Sequence, residues 1–200
     1  MTWRGTRRRA SPRSFRPDGR FLSIVQVTDR QIGLVPVENQ GSQLKAGEPQ
    51  FLTAGLSLND PVFSPDGKWL AYISAESGTT EVYVRAASAS PSAAQGGRWQ
   101  ISNNGGNQPH WTRDGRTLVY QSGDRLMTVD YSVEGDTFVP GTPRVWIDNL
   151  GTQQWDLAPD GKRVIALMPV EAEQPAQTEH EIVMLLNFFD ELRRKAPLDK

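Results

Sequence analysis

The stretch Phe63-Ser64-Pro65-Asp66-Gly67-Lys68-Trp69-Leu70-Ala71-Tyr72 decides how this chain reads. Proline sets φ near −65° at the first corner of a turn, aspartate hydrogen-bonds its own backbone, and glycine takes the left-handed position. That is a type I turn closing into a bulged hairpin. The run after it is apolar at consecutive positions, the pattern of a strand buried on both faces. The turn recurs as Ser14-Phe15-Arg16-Pro17-Asp18-Gly19-Arg20, as His110-Trp111-Thr112-Arg113-Asp114-Gly115-Arg116, and as Asp156-Leu157-Ala158-Pro159-Asp160-Gly161-Lys162. The turn aspartates are 48, 48 and 46 residues apart.

A fixed period of this length means one supersecondary unit per copy, and it lies in the range of β-propeller blades. Strands follow the turns at Phe21–Val25, Trp69–Ile73, Thr117–Tyr120 and Arg163–Met168. Third strands are predicted at Ile32–Val37, Glu81–Arg85, Leu126–Val129 and Glu181–Leu186. A fourth strand is readable three times, at Gln50–Thr53, Arg98–Ile101 and Arg144–Ile147. Four strands per period is the blade of a propeller. The expected fold is therefore all-β, with four-stranded antiparallel blades at about 14–58, 59–106, 107–152 and 153–200. In the last repeat Asn187 can cap a short helix that Pro197 stops.

Residues 1–20 hold seven arginines and one acid within a chain of net charge −1. Without aromatic or helical patterning, residues 1–13 read as a disordered basic tail, and the chain as no nucleic-acid binder. It has no cysteine, so no disulfide or thiolate chemistry is open to it. No apolar run is long enough to insert in a membrane, and no signal peptide is readable.

Catalytic constellations are absent from the sequence. The two histidines, His110 and His180, lie in no metal-binding spacing, and no nucleophile elbow or phosphate loop occurs. The expectation is no enzyme, no cofactor and no metal. Asp18, Gly19, Asp66, Gly67, Asp114, Gly115, Asp160 and Gly161 are structural turn residues, with aspartates on different blades. Function in a propeller lies in the loops leading into the innermost strands. Those positions make Asn107, Gln108, His110, Gln154 and Trp155 the candidate ligand-binding residues. The opposing expectation is that Trp155 packs between blades, as Trp69, Trp99, Trp111 and Trp146 do.

The repeats resemble the TolB-like propeller repeat, a relative of the WD-type repeat. Glu81-Val-Tyr-Val-Arg85, Gly105-Gly-Asn-Gln-Pro-His-Trp-Thr-Arg-Asp-Gly115, Trp155-Asp-Leu-Ala-Pro-Asp-Gly161 and Leu186-Asn-Phe-Phe-Asp-Glu-Leu-Arg193 come in the order found in propellers attached to bacterial membrane-anchored serine/threonine kinases. The kinase motifs themselves are missing, so phosphotransfer is not implied. The resemblance implies a protein- or peptide-binding or ligand-sensing scaffold on the periplasmic side, part of a larger protein. Expressed alone, without an export signal, it would stay in the cytoplasm. An accessory propeller of a prolyl-oligopeptidase-type peptidase is the alternative, which the helix after the last strand and the end of the chain at Lys200 disfavour. TolB-like propellers usually have six or more blades, so four predict an incomplete ring, with a closed four-bladed ring as the rival. Phe21, Ile24 and Val25 at one end and Ile182, Met184 or Leu185 at the other would then be uncovered. Open edges of this kind favour further blades of a parent chain or self-association.

Overall fold

The computed structural model describes residues 9–41, 43–52, 58–88 and 97–168. These residues are all-β, in four antiparallel sheets that follow one another along the chain. The first contains β1 (Ala10–Phe15), β2 (Phe21–Gln26), β3 (Gln31–Gln40), β4 (Gln43–Ala46) and β5 (Gln50–Phe51). The second contains β6 (Asn59–Phe63), β7 (Trp69–Ser74), β8 (Glu81–Ala86) and β9 (Arg98–Gln100). The third contains β10 (Asn107–Trp111), β11 (Thr117–Ser122), β12 (Arg125–Glu134), β13 (Thr137–Pro140) and β14 (Arg144–Ile147). The fourth begins with β15 (Trp155–Leu157) and β16 (Val164–Ala166). The predicted strand Glu181–Leu186 and the helix after Asn187 lie outside the described residues.

The four turns are one structure repeated. The glycine amide bonds back to Arg16, Ser64, Thr112 or Ala158 at 2.8 to 2.9 Å. The aspartate Oδ1 accepts the amide of Arg20, Lys68, Arg116 or Lys162 at 3.0, 3.0, 3.2 and 3.0 Å. Gly19, Gly67, Gly115 and Gly161 have φ of 71°, 69°, 65° and 66°, where a side chain is strained. Two of them are also crowded. A Cβ on Gly67 would lie 3.0 Å from Arg16 Cγ in the preceding turn, and one on Gly161 would lie 3.2 Å from Thr112 Cγ2. Gly161→Ala is expected to cost about 1–2 kcal/mol from the left-handed backbone alone, measured by urea unfolding.

Three of the turn carboxylates, Asp18, Asp114 and Asp160, are also held ionised. A hydrogen bond from Arg16 and the Arg20 amide pull Asp18 down to about 2. The Thr112 hydroxyl lowers Asp114, and the Lys162 amide lowers Asp160. Folded values below the unfolded carboxylate value of about 3.9 mean that the folded state binds fewer protons in this range. Their contribution is present above that value and is lost as pH falls toward 2. The urea midpoint is therefore expected to drop between pH 5 and 2.5, and to drop less in Asp18→Asn.

Each sheet packs face-on against the next. Val25, Ile32 and Leu34 of the first meet Phe63, Leu70, Tyr72 and Tyr83 of the second. Trp69, Val82 and Val84 of the second meet Trp111, Leu118 and Val129 of the third. Val119, Leu126 and Leu150 meet Trp155 of the fourth. The first strands of the first three sheets, β1, β6 and β10, are neighbours. These are the stacking and strand order of propeller blades.

Three expectations are corrected. The tail drawn at residues 1–13 is too long, because Ala10–Arg13 already belong to β1, paired with β2 from Ala10 opposite Gln26. The first blade thus begins before residue 14. The first and third sheets have five strands, not four. β3 and β12 run on past the sheet and fold back as hairpins, with β4 and β13 pairing only these extensions. Ile24 and Val25 are not an uncovered face. Val25 points into the second sheet's cluster. Ile24 and Phe51 close over Gly33, where a Cβ would come within 3.0 and 3.1 Å of them. Phe21 is half-buried beneath the Arg16 guanidinium, 4.5 Å from its ring. The exposed large apolar side chains of that sheet are Phe15, Leu44 and Phe51, at 52%, 58% and 41%.

Candidate functional site

Innermost strands β1, β6 and β10 each carry a bulge near their start, at Pro12–Ser14, Asn59–Val62 and Asn107–His110. Proline explains the interruption, since Pro61 and Pro109 cannot donate to the ladder. The residues before them, Asp60 and Gln108, take positive φ of 46° and 48°. A non-glycine residue there is strained, and such strain gathers at functional sites. The bulges turn side chains toward the next blade. Arg13 donates to Asn59 Oδ1 at 3.1 Å and lies 3.7 Å from Asp60. Gln108 Nε2 donates to the Gln153 carbonyl at 2.9 Å.

At the joint of the third and fourth sheets three of the five candidate residues are tied together and a fourth stands beside them. His110 is half-buried, with Nδ1 2.9 Å from the Gln108 carbonyl oxygen and Nε2 3.5 Å from exposed Asp156. Its ring lies 4.6 Å from that of Trp155. Asn107 faces Gln121 across the bulged pair, and its Oδ1 is buried with no hydrogen-bond partner. Gln154, the fifth, is exposed, with its amide on Thr152 Oγ1 at 3.1 Å. Trp155 differs from the others. It is 8% exposed and packs with Val119, Leu126 and Leu150. Its Nε1 donates to Gln121 Oε1 at 2.8 Å. The structure places it as an interblade pillar rather than an open platform. Gln121 is fully buried and also donates to the carbonyls of Gly123 and Thr152, at 3.0 and 2.8 Å. One amide therefore holds the indole and two loops.

Sequence reasoning missed a second knot at the joint of the second and third sheets. Glu81, 1% exposed, accepts from the Thr79 hydroxyl at 3.0 Å, from the Gly105 amide at 2.9 Å and from the Ser102 hydroxyl. Ser102 Oγ in turn accepts the Val82 amide at 2.8 Å. The signal was present as an acid opening an otherwise apolar strand, Glu81-Val-Tyr-Val. A groove of about 320 Å³ opens at the turn end of the third and fourth sheets, lined by Thr112, Thr128, Asp130, Arg144, Trp146 and Lys162. Arg144 is paired there with Asp130. Among the described residues no three His, Cys, Asp or Glu side chains group as metal ligands.

The fold so placed is similar to that of TolB-type propellers. TolB from Acinetobacter baumannii is 17% identical at a TM-score of 0.46, over 80% of this chain and 37% of that one. A TolB-type protein from Agrobacterium tumefaciens is 18% identical at 0.47, over 68% of this chain and 48% of that one. A Bacteroides uniformis protein assigned as a 6-phosphogluconolactonase is 18% identical at 0.48, over 78% of this chain and 46% of that one. The chain spans less than half the length of each. At this identity the likeness is one of fold. No family model and no curated protein matches the sequence.

Proposed function

We propose that the chain is a non-catalytic propeller scaffold that binds a peptide or small polar ligand where the third and fourth blades meet. The observation that carries this reading is the buried, unpartnered Asn107 Oδ1 beside strained Gln108 and half-buried His110. A buried acceptor without a donor calls for an explanation. A ligand amide or hydroxyl supplies one. His110, whose Nε2 lies 3.5 Å from exposed Asp156, offers a second polar contact. The scaffold reading involves no chemical step, so the purified chain should neither hydrolyse ATP nor cleave peptides. The order of motifs shared with kinase-linked propellers supports a place in a larger sensor protein. Phe15 and Phe51, exposed on one face of the first sheet, favour a further blade there.

The test is chemical-shift mapping with a mixture of neutral tripeptides. Shifts are expected at Asn107, Gln108, His110 and Gln154, with His110→Ala weakening affinity about three- to tenfold, the worth of one hydrogen bond. Trp155→Ala is unsuited to the test because it removes packing. Shifts confined to the Asp-Gly turns would contradict the reading.

A further inference from the structure

On the side of the second sheet that faces the first, one cation is largely buried. Arg85 stands opposite Leu70 on β7 and opposite Arg98 on β9. It is 9% exposed, and its Nε is buried with no hydrogen-bond partner. No carboxylate pairs with it among the described residues. Its partner across the strand pair, Arg98, is a like charge. Arg98 itself is satisfied. It lies over the Tyr83 ring at 5.1 Å and donates to Glu76 Oε2 at 2.6 Å. Tyr72, stacked on Tyr83 at 5.9 Å, stands diagonally across the strand pair from Arg85, which lies opposite Leu70. Tyr72 is 4% exposed.

We propose that this face binds one oxyanion on Arg85, with the Tyr72 hydroxyl as a second donor and Arg98 as a flanking positive charge. A guanidinium has donors only and stays charged at every accessible pH. Burial without a counter-ion is strongly unfavourable, whereas pairing with a carboxylate or phosphate oxygen satisfies charge and hydrogen bonds together. Glu76 neutralises one of the two arginines and leaves one positive charge, which suits a single small anion. This site is separate from the joint of the third and fourth blades.

The experiment titrates the intact chain with sodium phosphate and, separately, with sodium acetate, against sodium chloride at equal ionic strength. It reads melting temperature and equilibrium dialysis. A saturable rise beyond chloride is expected. A rise with phosphate alone assigns a phosphate group, and a rise with acetate as well assigns any small carboxylate. Arg85→Met should lower affinity at least about tenfold, as expected for a charged hydrogen bond. Tyr72→Phe, which keeps the ring packing, should lower it about threefold or more. Should Arg85→Met fail to fold, Tyr72→Phe decides: unchanged anion affinity overturns the proposal. So does the absence of any effect beyond chloride, or a response that survives Arg85→Met.

Discussion

Phe138→Ala is expected to lower stability by about 3–5 kcal/mol, the usual cost of emptying a large aromatic site in a core. Phe138 comes from β13, the returning arm of the hairpin that leaves the third sheet, and it is 1% exposed. Its ring meets four others. Tyr131 stacks on it at 4.7 Å, and Trp69, Trp99 and Trp111 lie 5.3, 5.7 and 6.2 Å away. Trp69 and Trp99 belong to the second sheet, Trp111 and Tyr131 to the third. The side chain therefore closes the joint between two blades from outside the regular strand pairing. Aromatic pairs in such edge and offset geometry add about 0.5–1.5 kcal/mol beyond the area they bury. The rigid indoles around the cavity can collapse into it only partly, which places the cost toward the upper end. Phe138→Leu should lose much less. Urea unfolding with an unchanged slope measures both, since the slope reports the surface exposed. A loss under about 1 kcal/mol for the alanine variant would mean that the hairpin does not hold the joint.

Glu81→Ala should cost about 3 kcal/mol, because buried donors left without an acceptor each forfeit roughly 1–3 kcal/mol. The carboxylate is the common acceptor of Thr79, Ser102 and the Gly105 amide. The alanine variant leaves all three without it. Glu81→Gln keeps an acceptor oxygen but not the charge, and a loss of about 1–2 kcal/mol is expected from weaker bonds. The local readout is amide exchange at Gly105, which should accelerate ahead of global unfolding. The loop it anchors leads into β10, so slackening there should also raise exchange at Asn107 and Gln108. If Gly105 exchanges at the native rate in Glu81→Ala, the carboxylate is not what orders that loop.

The two hairpin extensions were legible and went unread. Gly135-Asp136 is a two-residue loop of the kind that closes a hairpin, and Glu134 pairs with Thr137 across it. Reading the third strand as ending at Val129 hid it, since the repeat supplied no fifth strand to look for. Pro61 and Pro109 likewise stood inside strands where proline signals a bulge. The grouping of Asn107, Gln108, His110 and Trp155 followed from the repeat, because equivalent positions of successive blades must be neighbours. The depth of Trp155 did not follow, since an indole at a strand start suits an exposed platform and a buried pillar equally well.

The residues alone determined the turn, its period and the strands around it. Those depend on interactions within a few positions, with proline, aspartate and glycine each setting its own backbone torsion or hydrogen bond. Only the tertiary structure decided that Phe138 closes a joint, that Glu81 gathers three donors and that Arg85 meets no acid among the described residues. Each depends on which face of a strand meets which neighbour across roughly 20 to 70 residues of chain, and a one-position shift in register reverses that face.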